Sequence, residues 1–169
     1  MANKLIRKRL LAAAVEGTAG TVESLSASEA AWNIYDTTIQ TNFELIPRQG
    51  QGSFSQLAAV YGPYIGQVTF TTHLFGGSTI PDWAEVFLPA CGWVESTRTF
   101  SPTTEAPGSN VKTITIGVYE DGLLKRLRGC AGTAVINFQA GRPITINWTF
   151  TGIWVDPPSD TSIPSPTYP

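Results

Sequence analysis

Residues 144–154 alternate between apolar and polar side chains over an unusually long stretch of the chain. The apolar set is Ile144, Ile146, Trp148, Phe150 and Trp154, the polar set is Thr145, Asn147, Thr149 and Thr151, and only Ile153 departs from the alternation. Because successive side chains of a β-strand point to opposite faces, this pattern predicts a half-buried antiparallel strand. Its polar face carries no charge, which suits close packing against another protein surface better than exposure to free solvent.

The same two-residue period predicts the rest of a β-rich domain. Further strands are expected at residues 32–45, 67–75, 111–120, 123–130 and 132–139. Asp121 and Gly122 tolerate positive φ and predict a tight hairpin turn between two of these strands. The one strong helical pattern covers residues 81–91, where Trp83 and Phe87 recur at helical spacing. We therefore predict an antiparallel β-sandwich or barrel with one flanking α-helix.

Two terminal segments fall outside this pattern. Residues 1–31 contain a basic start and loose stretches of small residues, so we predict an N-terminal arm with little core of its own. From Asp156 onward the chain has five prolines in 14 residues, and proline cannot donate to a sheet ladder. We therefore predict a single β domain over residues 1–156, followed by a proline-rich C-terminal tail over residues 157–169 that does not extend the sheet.

Residues 47–66 are predicted to form a long loop, because they combine four glycines with two prolines. The segment is nevertheless apolar, and an apolar loop is unfavourable in free water. We therefore expect it to pack on another surface. Together with the polar face of residues 144–154 it supplies our candidates for subunit-interface residues, which are Phe54, Leu57, Tyr61, Tyr64, Thr149 and Thr151.

The charge distribution argues against sequence-specific binding of nucleic acid. Charged residues make up 14% of the 169 residues, and four of the 11 basic ones lie within the first nine positions. The rest of the chain has 7 basic against 13 acidic residues, whereas such binding requires neutralisation of phosphates. No stretch approaches the roughly 18 apolar residues of a membrane span. We expect no membrane binding and a product of the cytoplasm, either free or assembled.

The sequence contains no recognisable catalytic or metal-binding motif. His73 lies on the predicted polar face of a strand, and the basic run at 125–128 is interpreted as a solvated or intersubunit face. Cys91 and Cys130 lack metal-ligand spacing and are predicted to be buried free thiols. A disulfide between them is the alternative, although a chain of this size does not require one. We predict no catalytic residue, no cofactor and no bound metal.

Two other interpretations remain open at this point. A carboxylate pair of glycosidase type among Glu44, Glu95 and Glu105 would make the protein an enzyme. A carbohydrate-binding β-sandwich would instead use exposed Trp32 or Trp93 as a stacking platform for a sugar ring.

Five sequence motifs follow one another in an order typical of one protein family. They are K-R-L-L-A-A-A-V-E-G-T at 8–18, L-F-G-G at 74–77, F-L-P-A-C-G-W at 87–93, I-T-I-G-V-Y-E-D-G-L-L-K-R-L-R-G-C-A-G-T at 114–133 and A-G-R-P-I-T-I-N-W-T-F-T-G at 140–152. Over roughly residues 5–156 the chain thereby resembles the tail tube proteins, or major tail proteins, of long-tailed bacteriophages. Cys130 departs from the family pattern, and the proline-rich tail is not a constant of the family.

The resemblance implies a phage tail-tube fold and a structural role in the virion. Subunits of this family are expected to form hexameric rings whose inner sheets join into a continuous β-barrel, and the rings stack into a tube that conducts DNA to the host cell. The implied partners are further copies of this chain, other tail proteins and, transiently and non-specifically, the passing DNA. The implied location is the virion tail, after synthesis in the bacterial cytoplasm. A terminator or adaptor ring is the alternative within this class.

Overall fold

Antiparallel β-strands make up most of the chain described by the computed structural model, which covers residues 9–30, 33–42, 45–48, 50, 57–62, 64–74, 80–103, 111–160 and 165. The strands are β1 (Arg9–Val15), β2 (Ile34–Asn42), β3 (Leu45–Arg48), β4 (Leu57–Tyr61), β5 (Ile65–His73), β6 (Trp93–Ser96), β7 (Thr99–Pro102), β8 (Ile114–Glu120), β9 (Leu123–Asn137) and β10 (Thr145–Asp160). The α-helix, α1 (Asp82–Ala90), lies between β5 and β6, and a 3-10 turn covers Ser28–Ala30. The predicted mainly β fold with one helix is confirmed for these residues.

Six of the strands form one curled antiparallel sheet in the order β1-β8-β9-β10-β5-β2. The remaining strands pair as two separate hairpins, β3 with β4 and β6 with β7. Curling brings the two outer strands of the sheet close to each other. Where they approach, the Nη1 of Arg9 on β1 donates to the carbonyl oxygen of Thr37 on β2 at 2.9 Å. The helix α1 packs inside the curl, so that sheet and helix share one hydrophobic core.

Aromatic side chains fill the centre of this core. The ring centroid of Phe87 on α1 lies 5.3 Å from that of Trp148 on β10 and 5.0 Å from that of Phe70 on β5. The indole N–H of Trp148 donates to the Thr72 hydroxyl at 2.8 Å, so the polar atom of this large side chain is satisfied inside the core. Ile146, Trp148, Phe150 and Trp154 therefore face the core as predicted.

The long strands β9 and β10 change register at one irregularity. There Gly152 of β10 lies opposite both Gly129 and Cys130 of β9, and the φ of Gly129 is 60°. A Cβ at Gly152 would lie 2.5 Å from the Cys130 sulfur and 2.8 Å from the Arg128 carbonyl oxygen. This irregularity bends the strands, so that one continuous sheet wraps around α1.

Replacing Gly152 by valine is expected to lower the free energy of unfolding by about 1–3 kcal/mol, because the new side chain must displace packed neighbours. Urea denaturation followed by tryptophan fluorescence measures this change. Ala131→Val is the matched control, because Ala131 is exposed on the neighbouring strand β9 and its change should stay within about 0.5 kcal/mol. Equal losses of stability in the two variants would contradict the close approach at Gly152.

The N-terminal segment is not the core-free arm that was predicted for residues 1–31. Within this segment β1 pairs with β8 along its full length, and residues 10–13 are buried. Residues 17–30 then cross the outer face of β1 and β8, where Leu25 packs too close to Gly117 to leave room for a Cβ. Since the two strands are covered on both faces, the run of leucines and alanines in β1 shows no two-residue alternation. Residues 1–8 and 31 lie outside the described part.

The sheet also extends further towards the C-terminus than predicted. β10 continues to Asp160, which pairs with Leu123 of β9. Pro157 and Pro158 fall within a register shift of these two strands, where the ladder does not need their missing N–H groups. The predicted start of the tail at residue 157 is therefore wrong, and most of the chain beyond Asp160 lies outside the described residues.

The predicted long loop over residues 47–66 contains regular structure. β3 and β4 form a hairpin, and β5 already begins at Ile65. Gly50 is described, whereas residues 49, 51–56 and 63 lie outside the described residues. The loop prediction is therefore wrong for the two hairpin strands and for the start of β5.

The strands predicted at 123–130 and 132–139 are one continuous strand, β9, because the chain passes through the irregularity at Gly129 without leaving the sheet. The hairpin turn predicted between β8 and β9 is confirmed, with φ values of 45° at Asp121 and 85° at Gly122.

Candidate assembly surfaces

The outward side of β9, β10, β5 and β2 is a broad surface of uncharged residues, here called the neutral face. Strand pairing places its side chains in rows across the sheet. The rows, each in the order β9, β10, β5 and β2, are Thr133, Thr149, Thr69 and Thr38; Ala131, Thr151, Gln67 and Gln40; and Val135, Asn147, Thr71 and Tyr35. The predicted interface candidates Thr149 and Thr151 belong to the first two rows. Asp36, in a bulge of β2, and Arg128, beyond the second row, lie at its margins.

Side chains of the neutral face interact with one another. The Thr71 hydroxyl donates to Asn147 Oδ1 at 3.0 Å, and the Tyr35 ring stacks on His73 with centroids 4.7 Å apart. Because hydroxyl and amide groups can both donate and accept, this surface can meet water or another polar surface without requiring an opposite charge. The position of His73 beside Tyr35 agrees with the interpretation of a surface or interface histidine.

The part of the sheet that bears the neutral face has an unpaired edge on each side. Residues 131–137 of β9 pair with β10 alone, because β8 pairs with β9 only as far as Cys130. On the opposite side β2 pairs with β5 alone. Within the described ranges no further strand pairs with either edge, although the Arg9 side chain of β1 binds the Thr37 carbonyl oxygen of β2. Unpaired strand edges are templates for pairing with another chain.

A hairpin with exposed apolar side chains continues from one end of the same sheet. β3 follows β2, and β4 leads into β5, at the end where Asn42 is paired with Ile65. The exposed apolar residues of the hairpin are Leu45, Ile46, Leu57 and Val60. β3 and β4 pair only with each other, and an isolated two-stranded hairpin is marginally stable in water. This hairpin should therefore gain stability from a partner surface.

The predicted interface candidates divide between these two surfaces. Leu57 is exposed on the hairpin, Tyr61 belongs to β4, and Tyr64 is exposed just before β5. Thr149 and Thr151 instead lie side by side on the neutral face. Phe54 lies outside the described residues.

Of the candidates for enzymatic or sugar-binding chemistry, Glu95 and Trp93 lie within the described residues. The Glu95 carboxylate accepts the backbone N–H of Arg98 at 2.7 Å within the turn between β6 and β7, whereas Glu44 and Glu105 lie outside the described residues. Trp93 is half-buried in β6, and Trp32 is outside the described part. Across the described residues no group of three or more His, Cys, Asp and Glu side chains could hold a metal ion.

The basic run at 125–128 makes a local ion pair. Lys125 on β9 bonds to the Glu120 carboxylate across the hairpin turn, and Arg9 approaches the other oxygen of Glu120 at 2.9 Å. Since all three side chains are only partly buried, these pairs contribute little to stability. They neutralise part of the basic run within the same chain.

Cys91 and Cys130 are free thiols, as predicted, although Cys91 is only half-buried. Burial raises the pKa of each thiol to about 12. The negative charge of Glu16 acts on Cys130 in the same direction. Both thiols are therefore protonated at neutral pH and are poor nucleophiles.

Glu16 is a buried carboxylate that no pattern in the sequence predicted. It directly follows β1, is 4% exposed, and accepts hydrogen bonds from the N–H groups of Gly20 at 2.6 Å and Gly129 at 2.7 Å. The hydroxyls of Thr113 and Thr115 also donate to it, at 2.6 and 2.8 Å. Burial raises the pKa of this carboxyl, but the four donors outweigh burial and hold the pKa below its ordinary value of 4.5. Glu16 thereby ties the end of β1 to β8 and to the bend of β9.

No protein-family model and no curated protein matches the chain. In the described part, no helix has the length and apolar character that a membrane crossing requires. Function is therefore inferred from the neutral face, its two free edges and the projecting hairpin.

Proposed function

We propose that this protein is the subunit of a phage tail tube, a virion structural protein whose copies form closed rings that stack into a channel for DNA. The observation that carries this proposal is a pair of free strand edges on either side of an uncharged antiparallel sheet face. The resemblance of the motifs at 8–18, 114–133 and 140–152 to tail tube proteins points in the same direction.

Pairing between the two free edges supports ring formation. β9 and β2 run in opposite directions within the sheet, so residues 131–137 of one copy can pair antiparallel with β2 of the next. The contact is heterologous, because each copy contributes two different edges, and such contacts form rings when the rotation between copies closes. A closed ring leaves no edge exposed to unwanted pairing.

The composition of the neutral face supports a role as a channel wall. When copies pair edge to edge, their neutral faces join into one continuous surface of hydroxyl and amide groups. A wall rich in lysine or arginine would hold DNA through its phosphates, whereas an uncharged wall allows the DNA to pass with transient, non-specific contacts.

The hairpin of β3 and β4 supports the stacking of rings. It continues from the end of the sheet and therefore extends along the strands, whereas the edges point sideways. Contact at this end joins copies in successive rings and removes the exposed apolar side chains of the hairpin from water.

Wild-type protein is expected to form rings or tubes, and a variant without the hairpin is expected to form rings that do not stack. Because Asn42 and Ile65 are already paired, a short Gly-Ser turn can replace residues 43–63. Tyr64 is kept, because its carbonyl oxygen accepts the backbone N–H of Trp154 on β10 at 2.9 Å. Negative-stain electron microscopy of both purified proteins measures ring formation and tube length.

The control is replacement of Thr97 and Arg98 by glycine in the turn between β6 and β7. Both residues have positive φ, which glycine adopts without strain, so tube length should not change. Wild-type protein that remains monomeric would contradict ring formation, and tubes of wild-type length from the variant without the hairpin would contradict its role in stacking.

A terminator or adaptor ring of the tail is the second candidate, because the edges account for rings of either kind. The stacking hairpin favours the tube subunit, since a tube repeats the end contact many times. Copy number per virion separates the two candidates, because a tube subunit must be far more abundant than an adaptor.

A further inference from the structure

Residues 17–29, here called the strap, lie on the outer face of β1 and β8 without joining the sheet. None of them is buried, whereas Glu16 directly before them and Ala30 directly after them are. Within the described residues, the strap backbone makes no hydrogen bond to the backbone of any strand. A segment with few buried contacts opens at a lower cost in free energy than the strands of a core. The strap is therefore attached firmly at its two ends and weakly between them.

One leucine supplies the apolar attachment of the strap. Leu25 packs over Gly117 of β8, where the absence of a side chain leaves a seat for it. It covers a small cluster that is separate from the core around α1 and consists of Leu10, Ala12, Ala30, Tyr119 and Leu124. Beside this contact, an open cavity of about 430 Å³ lies between the strap, β1 and Val86 of α1. Release of Leu25 would therefore uncover the cluster.

A chain of hydrogen bonds runs from the strap to the bend of β9. The Glu23 N–H donates to Thr115 Oγ1 at 3.1 Å, and this hydroxyl donates in turn to Glu16 Oε1 at 2.8 Å. The same Glu16 oxygen accepts the N–H of Gly129 in the bend at 2.7 Å. The other oxygen of Glu16 accepts the Gly20 N–H of the strap at 2.6 Å. Strap and bend are thus held by one carboxylate, and hydrogen bonds in such a network strengthen one another.

We propose that the strap is a latch that opens while the six-stranded sheet stays folded, and that its opening releases the bend of β9. In the closed state, Thr115 and Gly20 position the carboxylate that holds the Gly129 N–H. Opening admits water to Glu16, where it competes for these hydrogen bonds, and uncovers the cluster beneath Leu25. The latch operates within a single chain, so it does not depend on whether the protein forms rings.

Hydrogen exchange of the wild-type protein, measured with residue resolution in low concentrations of urea, tests the latch. The N–H groups of Gly20, Glu23 and Gly129 should exchange at rates that hardly change with urea, because local opening exposes little surface. The N–H groups of β5 should exchange faster as urea increases, since their exchange requires global unfolding. The same urea dependence in the strap and in β5 overturns the proposal.

A core variant separates opening of the strap from unfolding of the chain. Ile146 is buried in the core around α1 and lies outside the cluster that Leu25 covers. Because Ile146→Val destabilises the sheet whether the strap is closed or open, β5 should exchange about fivefold faster. The N–H groups of the strap and of Gly129 should keep their wild-type rates. Acceleration of the strap together with β5 overturns opening as a separate step, and acceleration of Gly129 with β5 alone overturns the coupling to the bend.

Replacing Leu25 by alanine tests the contact that closes the latch. Loss of this half-buried side chain should raise the exchange rates of the strap and of Gly129 by about tenfold, because it lowers the stability of the closed state. Val22→Ala is the matched control, since Val22 is also half-buried on the strap but lies outside the cluster, and it should keep wild-type rates. Wild-type rates in Leu25→Ala, or equal acceleration in the two variants, overturn the role of Leu25 in closing the latch.

Discussion

Under the proposed tail-tube function, replacing Thr149 by arginine should impair assembly or genome passage while the monomer remains folded. Thr149 lies in the centre of the neutral face, in the row between Thr133 and Thr69. In a closed ring, every copy would add one guanidinium group at the same height of the wall. The guanidinium groups repel one another, and they bind phosphates of DNA that an uncharged wall lets pass.

If the protein is a tail subunit as proposed, the measurements are infectious titre and tail morphology of virions in which the variant replaces the wild-type protein. We expect loss of titre, with a free energy of unfolding within about 1 kcal/mol of wild type, because the new side chain extends away from the core. Thr149→Val keeps the wall uncharged and should support infection. Thr99→Arg adds the same charge on exposed β7 and should also support infection. A fully infectious Thr149→Arg virion would identify the neutral face as an ordinary solvent surface.

Replacing Glu16 by alanine should destabilise the fold by about 3–5 kcal/mol, because it leaves buried N–H and O–H donors without an acceptor. Those donors belong to Gly20, Gly129, Thr113 and Thr115, so β1, β8 and the bend of β9 lose their common link. Urea denaturation at pH 7 measures the loss. Glu16→Gln retains one acceptor oxygen and should lose less stability, and a smaller loss for alanine than for glutamine would contradict this account.

The Glu16 carboxylate also predicts a dependence of stability on pH. Its pKa in the folded protein is lowered from 4.5, while in the unfolded chain the carboxyl titrates near that ordinary value. The stabilisation is therefore complete above about pH 4.5 and is lost as pH falls through the folded pKa. The difference in unfolding free energy between wild type and Glu16→Gln should be constant from about pH 5 to pH 7 and should shrink below pH 4.5. A constant difference down to pH 3 would contradict the lowered pKa.

Local patterns in the sequence predict the central strands and the helix well. The alternation through Trp148 follows from a strand with one face on the core. Asp121 and Gly122 specify the turn between β8 and β9 through positive φ alone. Both signals depend only on neighbouring residues. The mainly β fold and the uncharged side of β10 could therefore be predicted.

Features that depend on distant partners could not be predicted in the same way. β1 has no alternation because residues 17–30 cover its second face, and Pro157 was interpreted as a strand end although a bulge accommodates it. The donors to Glu16 lie up to 113 residues away, so no local motif reveals this carboxylate. The free edge of β9 arises only because its pairing with β8 ends at Cys130, opposite Ile114.

The candidate surfaces could be predicted only where they depend on neighbouring residues along the chain. Thr149 and Thr151 follow from the period of one strand, whereas the rows that continue them across β9, β5 and β2 follow from register. Phe138 lies within the strand predicted at 132–139 but directly beyond the observed end of β9 at Asn137. Its exposure depends on where the core ends rather than on any pattern around it.

The opposite directions of β9 and β2 have a consequence for the size of an assembly. Every added copy restores the same alternation of strand directions at the junction, so strand polarity permits closure with any number of subunits. The circumference of such a ring then depends only on the curvature of the sheet within each subunit. The register shift at Gly129 and Gly152 sets part of that curvature. In the proposed ring, changing the space there would widen or narrow the opening without altering a contact between subunits.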